Sequence, residues 1–173
     1  PHTEWISKGK AGVPQELGLG VCVHKDQYGF ILHHRVLQQQ TDDKVAVVMV
    51  QETKNRFANL VGSSFDRGFY SLDNKNQLAE ILDYVVLPKK GRLSVKDKEI
   101  EQSQEFVESR RKHSAVESSI NALENHGLDR CRDHGLHGFE RYVALSVLAR
   151  NIQILGHLLQ QKELKKQKRR KAA

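Results

Sequence analysis

Two carboxylates in this sequence occupy positions from which an acid could do chemistry. Asp66 follows the short apolar run NLVGSSF, which predicts a strand, and α/β proteins keep their reactive groups at the carboxyl ends of strands. Glu117 lies in the helix-forming run RRKHSAVESSINALE, where a polar stripe meets an apolar one, so its carboxylate could point across a sheet at a second acid. Both also have structural explanations. Asp66 could bond backbone amides in a turn, and Glu117 could pair with Arg110 and His113 along a helix.

A second group of candidate ligands lies in the loop sequence NHGLDRCRDHGLHG. His126, Cys131, His134 and His137 follow the spacing H-x4-C-x2-H-x2-H, and both residue types bind zinc. No C-x2-C pair is present and glycines separate the ligands, whereas zinc sites favour tighter paired spacings. The spacing therefore favours a polar loop with a buried Cys131 over a zinc site.

The composition is that of one globular domain. The chain has 173 residues, of which 38% are hydrophobic and 28% charged. We expect no contact with a membrane, because no apolar run reaches the roughly 18 residues of a span. No secretory signal opens the chain, and its two cysteines show no disulfide framework. These features predict an intracellular protein with free thiols.

The net charge of +7 is concentrated at the carboxyl end of the chain. Residues 161–173 hold seven Lys or Arg and one Glu, whereas residues 1–160 are nearly neutral. We therefore divide the chain into a domain, residues 1–160, and a basic tail, residues 161–173. A basic tail can bind phosphate backbones by counterion release, and it can equally be a solvated helix end.

The first half of the sequence predicts strands that alternate with helices. Residues 17–37, LGLGVCVHKDQYGFILHHRVL, read as a hairpin around DQYG. Asp42 or Asp43 is expected to cap a helix through KVAVVMVQETKNRF. The strand NLVGSSF, the helix LDNKNQLAEILDY and the short strand VVLP follow.

The second half is predicted to be helical. Neither Pro nor Gly occurs from Val95 to Glu124, so one long helix is expected there. A final helix runs from about Phe139 into the tail, and its apolar positions nearly encircle it, which is typical of burial in a core or against a partner. The order of elements predicts an α/β fold with a mixed sheet covered by helices.

Four segments carry a resemblance that spans nearly the whole chain. They are HTEWISKGKAGVPQELG with VCVHKDQYGFILHHRV, then SFDRGFYSLDN, then LPKKGRL, and lastly HSAVESSINALENHGLDR with GFERYVALSVLARNIQ. Together they resemble a bacterial insertion-sequence transposase of the DDE type, from the group labelled "not classified yet". The resemblance implies an RNase H-like α/β fold, a mixed sheet flanked by helices that lacks its first strand and ends in a long C-terminal helical hairpin.

The resemblance assigns catalytic roles to the two carboxylates. It implies that Asp66 and Glu117 hold two divalent ions, Mg²⁺ or Mn²⁺, about 3.5–4 Å apart. Water would attack a DNA phosphodiester, and the freed 3′-OH would then attack target DNA. The implied partners are transposon ends and target DNA, bound by a homo-oligomer at the nucleoid in the bacterial cytoplasm. The residues expected to contact DNA are Arg110, His113, Lys165, Lys166, Lys168, Arg169 and Arg170.

The first catalytic acid of this family lies on the first strand of the domain. That strand would lie at or before Pro1, so we expect a partial domain with weak or absent catalysis. Asp26 is a candidate by order, although Asp is common in hairpin turns. Glu4 is another candidate, and we favour loss of the acid over both.

Three other functions stay open. The chain could be a non-enzymatic nucleic-acid-binding module that acts through its basic tail, with Asp66 as a turn residue. It could be a helical interaction protein whose last helix docks on a partner. It could also be a zinc-binding fold that uses the histidine-rich loop.

Overall fold

The computed structural model describes residues 3–7, 15–113, 120–125 and 130–172. Within this part, the fold is mixed α/β, as predicted, but its strands form three two-stranded sheets rather than one. The strands are β1 (Glu4–Ser7), β2 (Gln15–Gly18), β3 (Val21–Lys25), β4 (Ile31–Val36), β5 (Gly62–Ser64) and β6 (Tyr84–Val86). The helices are α1 (Asp42–Arg56), α2 (Leu72–Ile81), α3 (Val95–Gln102), α4 (Gln104–His113) and α5 (Gly135–Ala172), with a 3-10 turn at Arg67–Phe69.

The predicted hairpin is present, but it is shorter than residues 17–37. β3 and β4 pair antiparallel, whereas Leu17 lies on β2, which pairs with β1. The pairing partner changes at Gly20, where an added Cβ atom would lie 3.2 Å from Cδ1 of Leu37. The apolar alternation from Leu17 to Val23 therefore spans two strands with different partners.

The first turn of α1 lies where the sequence places it, but Thr41 occupies the N-cap position, and its side chain makes no capping hydrogen bond. Thr41 has an extended backbone, and its hydroxyl donates to Oδ1 of Asp43 at 2.5 Å. Asp42 and Asp43 lie in the first turn, where the helix dipole favours negative charge. The prediction that an aspartate is the cap is wrong, because both aspartates are already helical.

Helix α1 is buried along one broad face, and the two edges of this face contact two parts of the fold. Ala46 and Val50 pack into a core formed largely by the β5–α2–β6 unit. Val45 and Met49 pack against the β3–β4 hairpin. The position of the hairpin relative to β5 is therefore set through this helix.

The β5–α2–β6 unit is a parallel strand pair joined by a helix. Ser71 caps α2, because its hydroxyl oxygen accepts a hydrogen bond from the backbone N–H of Asn74 at 3.0 Å. The two strands approach closely at Gly62, where a Cβ atom would lie 2.9 Å from the carbonyl oxygen of Tyr84. Only glycine fits at this position without spreading the pair.

The long helix predicted from Val95 to Glu124 is wrong, because Ser103 divides it. The Ser103 amide donates to the carbonyl of Ile100 and ends α3. The Ser103 hydroxyl accepts from the Phe106 amide at 3.3 Å in the first turn of α4. Serine side chains compete with the helix for backbone groups, and summed helix propensity does not register this.

Helix α5 begins at Gly135, four residues before the predicted start at Phe139. Gly138 lies within its first turns because Asp133 packs on it; a Cβ atom there would lie 2.8 Å from Cγ of Asp133. The Asp133 carboxylate accepts hydrogen bonds from the His134 amide and the Arg141 guanidinium. This glycine is therefore a packing residue rather than a helix breaker.

One side of α5 packs on the β3–β4 hairpin. Val143 and Val147 form a third core with Ile31 and Leu123. Asn151 extends this contact, because its amide group donates to the carbonyl of Ile31 at 3.0 Å and accepts from the Ile31 amide at 2.9 Å. The side chain thus pairs with β4 as a neighbouring strand would.

We expect Asn151→Ala to lower the free energy of unfolding by about 1–3 kcal/mol, because it leaves both backbone groups of Ile31 unpaired. Urea unfolding followed by circular dichroism would measure this change. Gln160→Ala, an exposed change on the same helix, is the control and should stay within about 0.5 kcal/mol of the parent. Equal stability of the two variants would contradict the role of Asn151.

Candidate metal and nucleic-acid site

Asp66 lies directly beyond the carboxyl end of β5, as its sequence context predicts. Phe65 before it is buried in the core, whereas Asp66 is exposed. Asp66 stands at the N-cap position of the 3-10 turn, yet its side chain accepts no hydrogen bond from that turn. Capping of the turn therefore does not account for this aspartate.

A second carboxylate, that of Asp42, approaches the same place. An added Cβ atom on Gly68, in the turn after Asp66, would lie 3.3 Å from Oδ2 of Asp42. Burial raises the pKa of Asp42, and the negative charges of Asp66 and Asp43 raise it further. The first turn of α1 and the end of β5 thus bring carboxylates together, and a cation bound there would offset the negative charge that raises the pKa of Asp42.

Asn74 of α2 holds these two segments in register. Its side-chain amide donates to the carbonyl of Asp43 at 2.7 Å and to the carbonyl of Phe69 at 2.8 Å. Asn74 is buried, so the start of α1 and the turn after Asp66 are fixed to each other. Asp42 and Asn74 are candidate site residues that the sequence reasoning missed, since no local signal shows that these segments meet.

Glu117 lies outside the described residues, as do His126 and the side chain of His113. Arg110 is exposed on α4. At the end of α3, Glu101 accepts from the Lys89 amide beyond β6, whereas Ser109 of α4 bonds the hydroxyl of Tyr84 at the start of β6. Helix α4 therefore runs antiparallel to β6, and Arg110 lies toward the amino end of the strand pair, away from Asp66.

The two candidates for a first acid have local roles. Oδ1 of Asp26 accepts from the amides of Tyr28 and Phe30, each at 2.9 Å, and this closes the β3–β4 turn. Glu4 on β1 accepts from the Gln39 amide at 2.6 Å. Closing the hairpin turn thus explains the presence of Asp26, and attaching the loop at Gln39 explains the presence of Glu4.

Two of the described candidate zinc ligands in the histidine-rich loop, Cys131 and His137, also have local partners. Cys131 Sγ donates to the carbonyl of Asp133 at 3.5 Å, and His137 lies 3.2 Å from Glu140. His134 is exposed. The prediction that Cys131 is buried is wrong, because this residue is only half-buried.

The basic tail continues α5 to Ala172 without a break. The five tail residues expected to contact DNA are exposed; they are Lys165, Lys166, Lys168, Arg169 and Arg170. The helix distributes them around its axis, so their charges form a cationic rod rather than a flat patch.

Strands β3 and β5 run in opposite directions along α1. Cys22, early in β3, packs against the first half of α1, whereas His24 reaches Thr53 in its last turn. β5 runs the other way along α1. Ser63 on β5 contacts His24, near the last turn of the helix, whereas the turn that follows β5 lies close to Asp42, in the first turn. Among the described residues, no backbone hydrogen bond joins β3 to β5. A further strand between them would pair antiparallel with one and parallel with the other.

A directed chain of hydrogen bonds links the facing edges of β3 and β5. The Thr53 hydroxyl donates to the carbonyl of Met49 at 2.6 Å, so it accepts from Nδ1 of His24 at 3.0 Å. Nε2 of His24 then carries the lone pair and accepts from the Ser63 hydroxyl at 3.1 Å. His24 is thereby held neutral in one tautomer. Burial lowers the pKa of its imidazole to about 4, and the nearby His33 adds to this.

In comparisons with known proteins, no family model matches the chain, and no curated protein or solved structure matches it. A functional assignment therefore rests on the geometry described above and on the resemblance of the four sequence segments.

We expect the stability of the protein to fall as the pH falls from about 6.5 to about 4. Because the folded pKa of His24 is depressed, the stability from its neutral form is present above pH 6.5 and is lost toward the folded pKa of about 4. At about 1.4 kcal/mol per pKa unit, the loss is up to roughly 3 kcal/mol. Urea unfolding at several pH values would measure it.

His24→Gln should flatten this pH profile, while His157→Gln, a change at an exposed histidine on α5, should leave it unchanged. An identical pH profile for the parent and His24→Gln would contradict the neutral state of His24.

Proposed function

We propose that this chain is the carboxy-terminal part of the catalytic domain of a DDE-type DNA transposase, an enzyme class that hydrolyses phosphodiesters and transfers the freed strand with divalent metal ions. The observation that supports this most is the position of Asp66. Its exposed carboxylate lies just beyond the carboxyl end of a parallel strand, is not used to cap the following turn, and has Asp42 beside it.

The donor set suits a hard divalent cation. Mg²⁺ and Mn²⁺ bind carboxylate oxygens, and a cation would offset the repulsion between Asp42 and Asp66. Within the described ranges, no group of three or more His, Cys, Asp or Glu side chains forms a complete metal site. We therefore assign the further ligand to Glu117, as the resemblance implies, with Asp66 and Glu117 as the metal-binding pair.

In this proposal the described residues prepare the site before DNA arrives. A bound metal pair would polarise the phosphate and activate the attacking oxygen. Asp66 would be the residue that holds cations at the end of β5, and Asn74 holds the Asp66 turn against α1. The charge of Asp42 strengthens cation binding at this end of the strand pair.

The RNase H-like sheet is also part of the proposal. The described strands give two pairs, β3–β4 and β5–β6, whose facing edges run antiparallel and contact through His24 and Ser63. One strand between them would produce a mixed sheet covered by α1. An acid on that strand would lie beside Asp66, where a first catalytic acid belongs. Asp26 and Glu4 have other roles, so we propose neither as that acid.

A second candidate function is nucleic-acid binding through the tail without catalysis. It is favoured by one observation, the exposed cationic rod formed by residues 162–171. Such a rod contacts phosphates without reading sequence. Its binding to DNA would not depend on Asp66 or on metal ions.

We expect Asp66→Asn to weaken Mn²⁺ binding at least about tenfold, because it removes an anionic ligand worth 1.4 kcal/mol or more. Isothermal titration of the full chain with Mn²⁺ would measure this. Asp83→Asn is the matched control, since Asp83 is exposed and precedes β6 at the opposite end of the strand pair. Equal affinities of the two variants would overturn the site.

Glu117→Gln distinguishes two possible sets of ligands for the cation, Asp66 with Glu117 or Asp66 with Asp42. If it weakens Mn²⁺ binding as Asp66→Asn does, the proposed pair of ligands stands. If Asp42→Asn weakens binding and Glu117→Gln does not, the cation lies between Asp42 and Asp66 alone. Nicking of supercoiled DNA that requires Mg²⁺ and Asp66 would show that the site is complete, contrary to the weak catalysis expected.

Removal of residues 162–173 should flatten the salt dependence of binding to duplex DNA. The segment holds seven basic residues and one acidic residue, and each neutralised phosphate contributes about −0.9 to the slope of log K against log salt. The slope should therefore decrease in magnitude by up to about six. Fluorescence anisotropy between about 50 and 200 mM salt would measure it. An unchanged slope would exclude the tail as a phosphate-binding element.

A further inference from the structure

Helix α5 has one covered side and one exposed apolar side. The covered side carries Val143 and Val147, and Asn151 fastens it to Ile31. The opposite side carries five large apolar residues that are each 49–63% exposed. We call these five the outer seam; they are Leu145, Leu148, Ile152, Leu155 and Leu159.

The spacing of the outer seam identifies the kind of surface it fits. Its members are separated by three, four, three and four residues, which is the a/d repeat of a helix that packs along another helix. The last helix was predicted to be buried all round, and the structure covers only half of it. Residues 155–171 are all exposed, and a helical segment without tertiary cover is marginal in water.

Small residues beside the outer seam allow a close approach. Ala149 and Gly156 lie seven residues apart, directly after Leu148 and Leu155. Glycine is a poor helix former, and within the described residues nothing lies within 4 Å of a Cβ atom added at Gly156. The packing of this chain thus gives no reason for glycine there, whereas a second helix crossing at this point would.

The charge pattern determines which helix fits and in which direction. The same repeat continues into the tail as Lys162, Lys166 and Arg169. Two parallel copies would place these rows side by side, and their repulsion opposes pairing. An antiparallel crossing centred near Ile152 separates the tails and sets Ala149 of one copy against Gly156 of the other.

A membrane is a weaker match for this helix. By length and composition Gly135–Lys171 could cross a bilayer, with a mean hydropathy of 1.3 over its most apolar window. A spanning helix must be apolar all round, yet Arg150 and Asn151 stand in the middle of this one, and Asn151 is bonded to β4.

We propose that two copies of this chain associate through the outer seam of α5, with the two helices antiparallel. Between Leu145 and Leu159 the only Asp, Glu, Lys or Arg is Arg150, which lies on the side of the helix away from the outer seam. A two-fold axis makes such an apolar row complementary to itself. This inference rests on α5 alone and does not depend on the proposed function.

The first test is the oligomeric state of the full chain in the absence of DNA. Sedimentation equilibrium up to about 200 µM should show a dimer of micromolar affinity. The double variant Leu148→Glu/Leu155→Glu should weaken dimerisation at least about thirtyfold, the size of a hot-spot loss. Gln153→Glu/Gln160→Glu adds the same charge off the seam and should change it little. A monomer at every concentration, or equal effects of both double variants, would overturn the proposal.

Gly156→Leu separates the interface from the stability of the helix. Leucine is the better helix former, so a purely structural glycine would predict more helix and unchanged assembly. A close crossing predicts weaker dimerisation with helix content retained in circular dichroism. Unchanged dimerisation of Gly156→Leu would overturn the crossing at this residue.

Disulfide cross-linking tests the direction of the pair in a Cys131→Ser background. A mixture of the Leu145→Cys and Leu159→Cys variants should form a mixed disulfide dimer, and neither variant should cross-link alone. Cross-linking of each variant with itself would overturn the antiparallel direction. Binding of the monomer to phosphatidylcholine–phosphatidylserine vesicles, lost in the Leu148→Glu/Leu155→Glu variant, would replace the second copy with a lipid surface.

Discussion

The burial of one broad face of α1 against two neighbours is the constraint on which the rest of the described structure depends. One edge of this face packs on the β3–β4 hairpin and the adjacent edge packs on the β5–α2–β6 unit, so neither can move without uncovering part of α1. Its first turn lies at the end of β5, and its last turn meets the hydrogen-bond chain through His24. The candidate site and the facing strand edges are therefore both positioned by one helix.

Charge is unevenly divided between two regions of this protein. Asp42, Asp43 and Asp66 gather near the start of α1, whereas the basic residues of the tail lie at the far end of α5. A phosphate backbone would be repelled from the acidic region unless a cation is bound there. Under the proposed function, metal loading and DNA engagement at Asp66 are thus coupled, while the tail attracts DNA independently of the metal.

The sequence predicts the type of most elements here because hydrophobic periodicity and local breakers are short-range signals. It identifies Asp66 as a strand-end acid for the same reason. It fails at Ser103, where a side chain ends one helix and starts the next, and at Leu17, where a continuous alternation serves two sheets. It does not predict the meeting of Asp42 with the Asp66 turn, because that contact is made by segments more than 20 residues apart and held by Asn74. The exposed side of α5 was also beyond reach, since an all-round apolar helix does not show which side its own domain covers.

The close contact at Gly62 has a consequence for the order in which this protein folds. The β3–β4 hairpin closes over a five-residue connection, whereas β5 and β6 are parallel and can pair only across the intervening α2. Pairings that span such separations form late, since loop closure is costly before native contacts repay it. The contact at Gly62 is part of this late pairing, and Asn74 then fixes the turn after Asp66 to the start of α1. The carboxylates near Asp66 would then come together only in the last stage of folding, after most of the apolar surface is already buried.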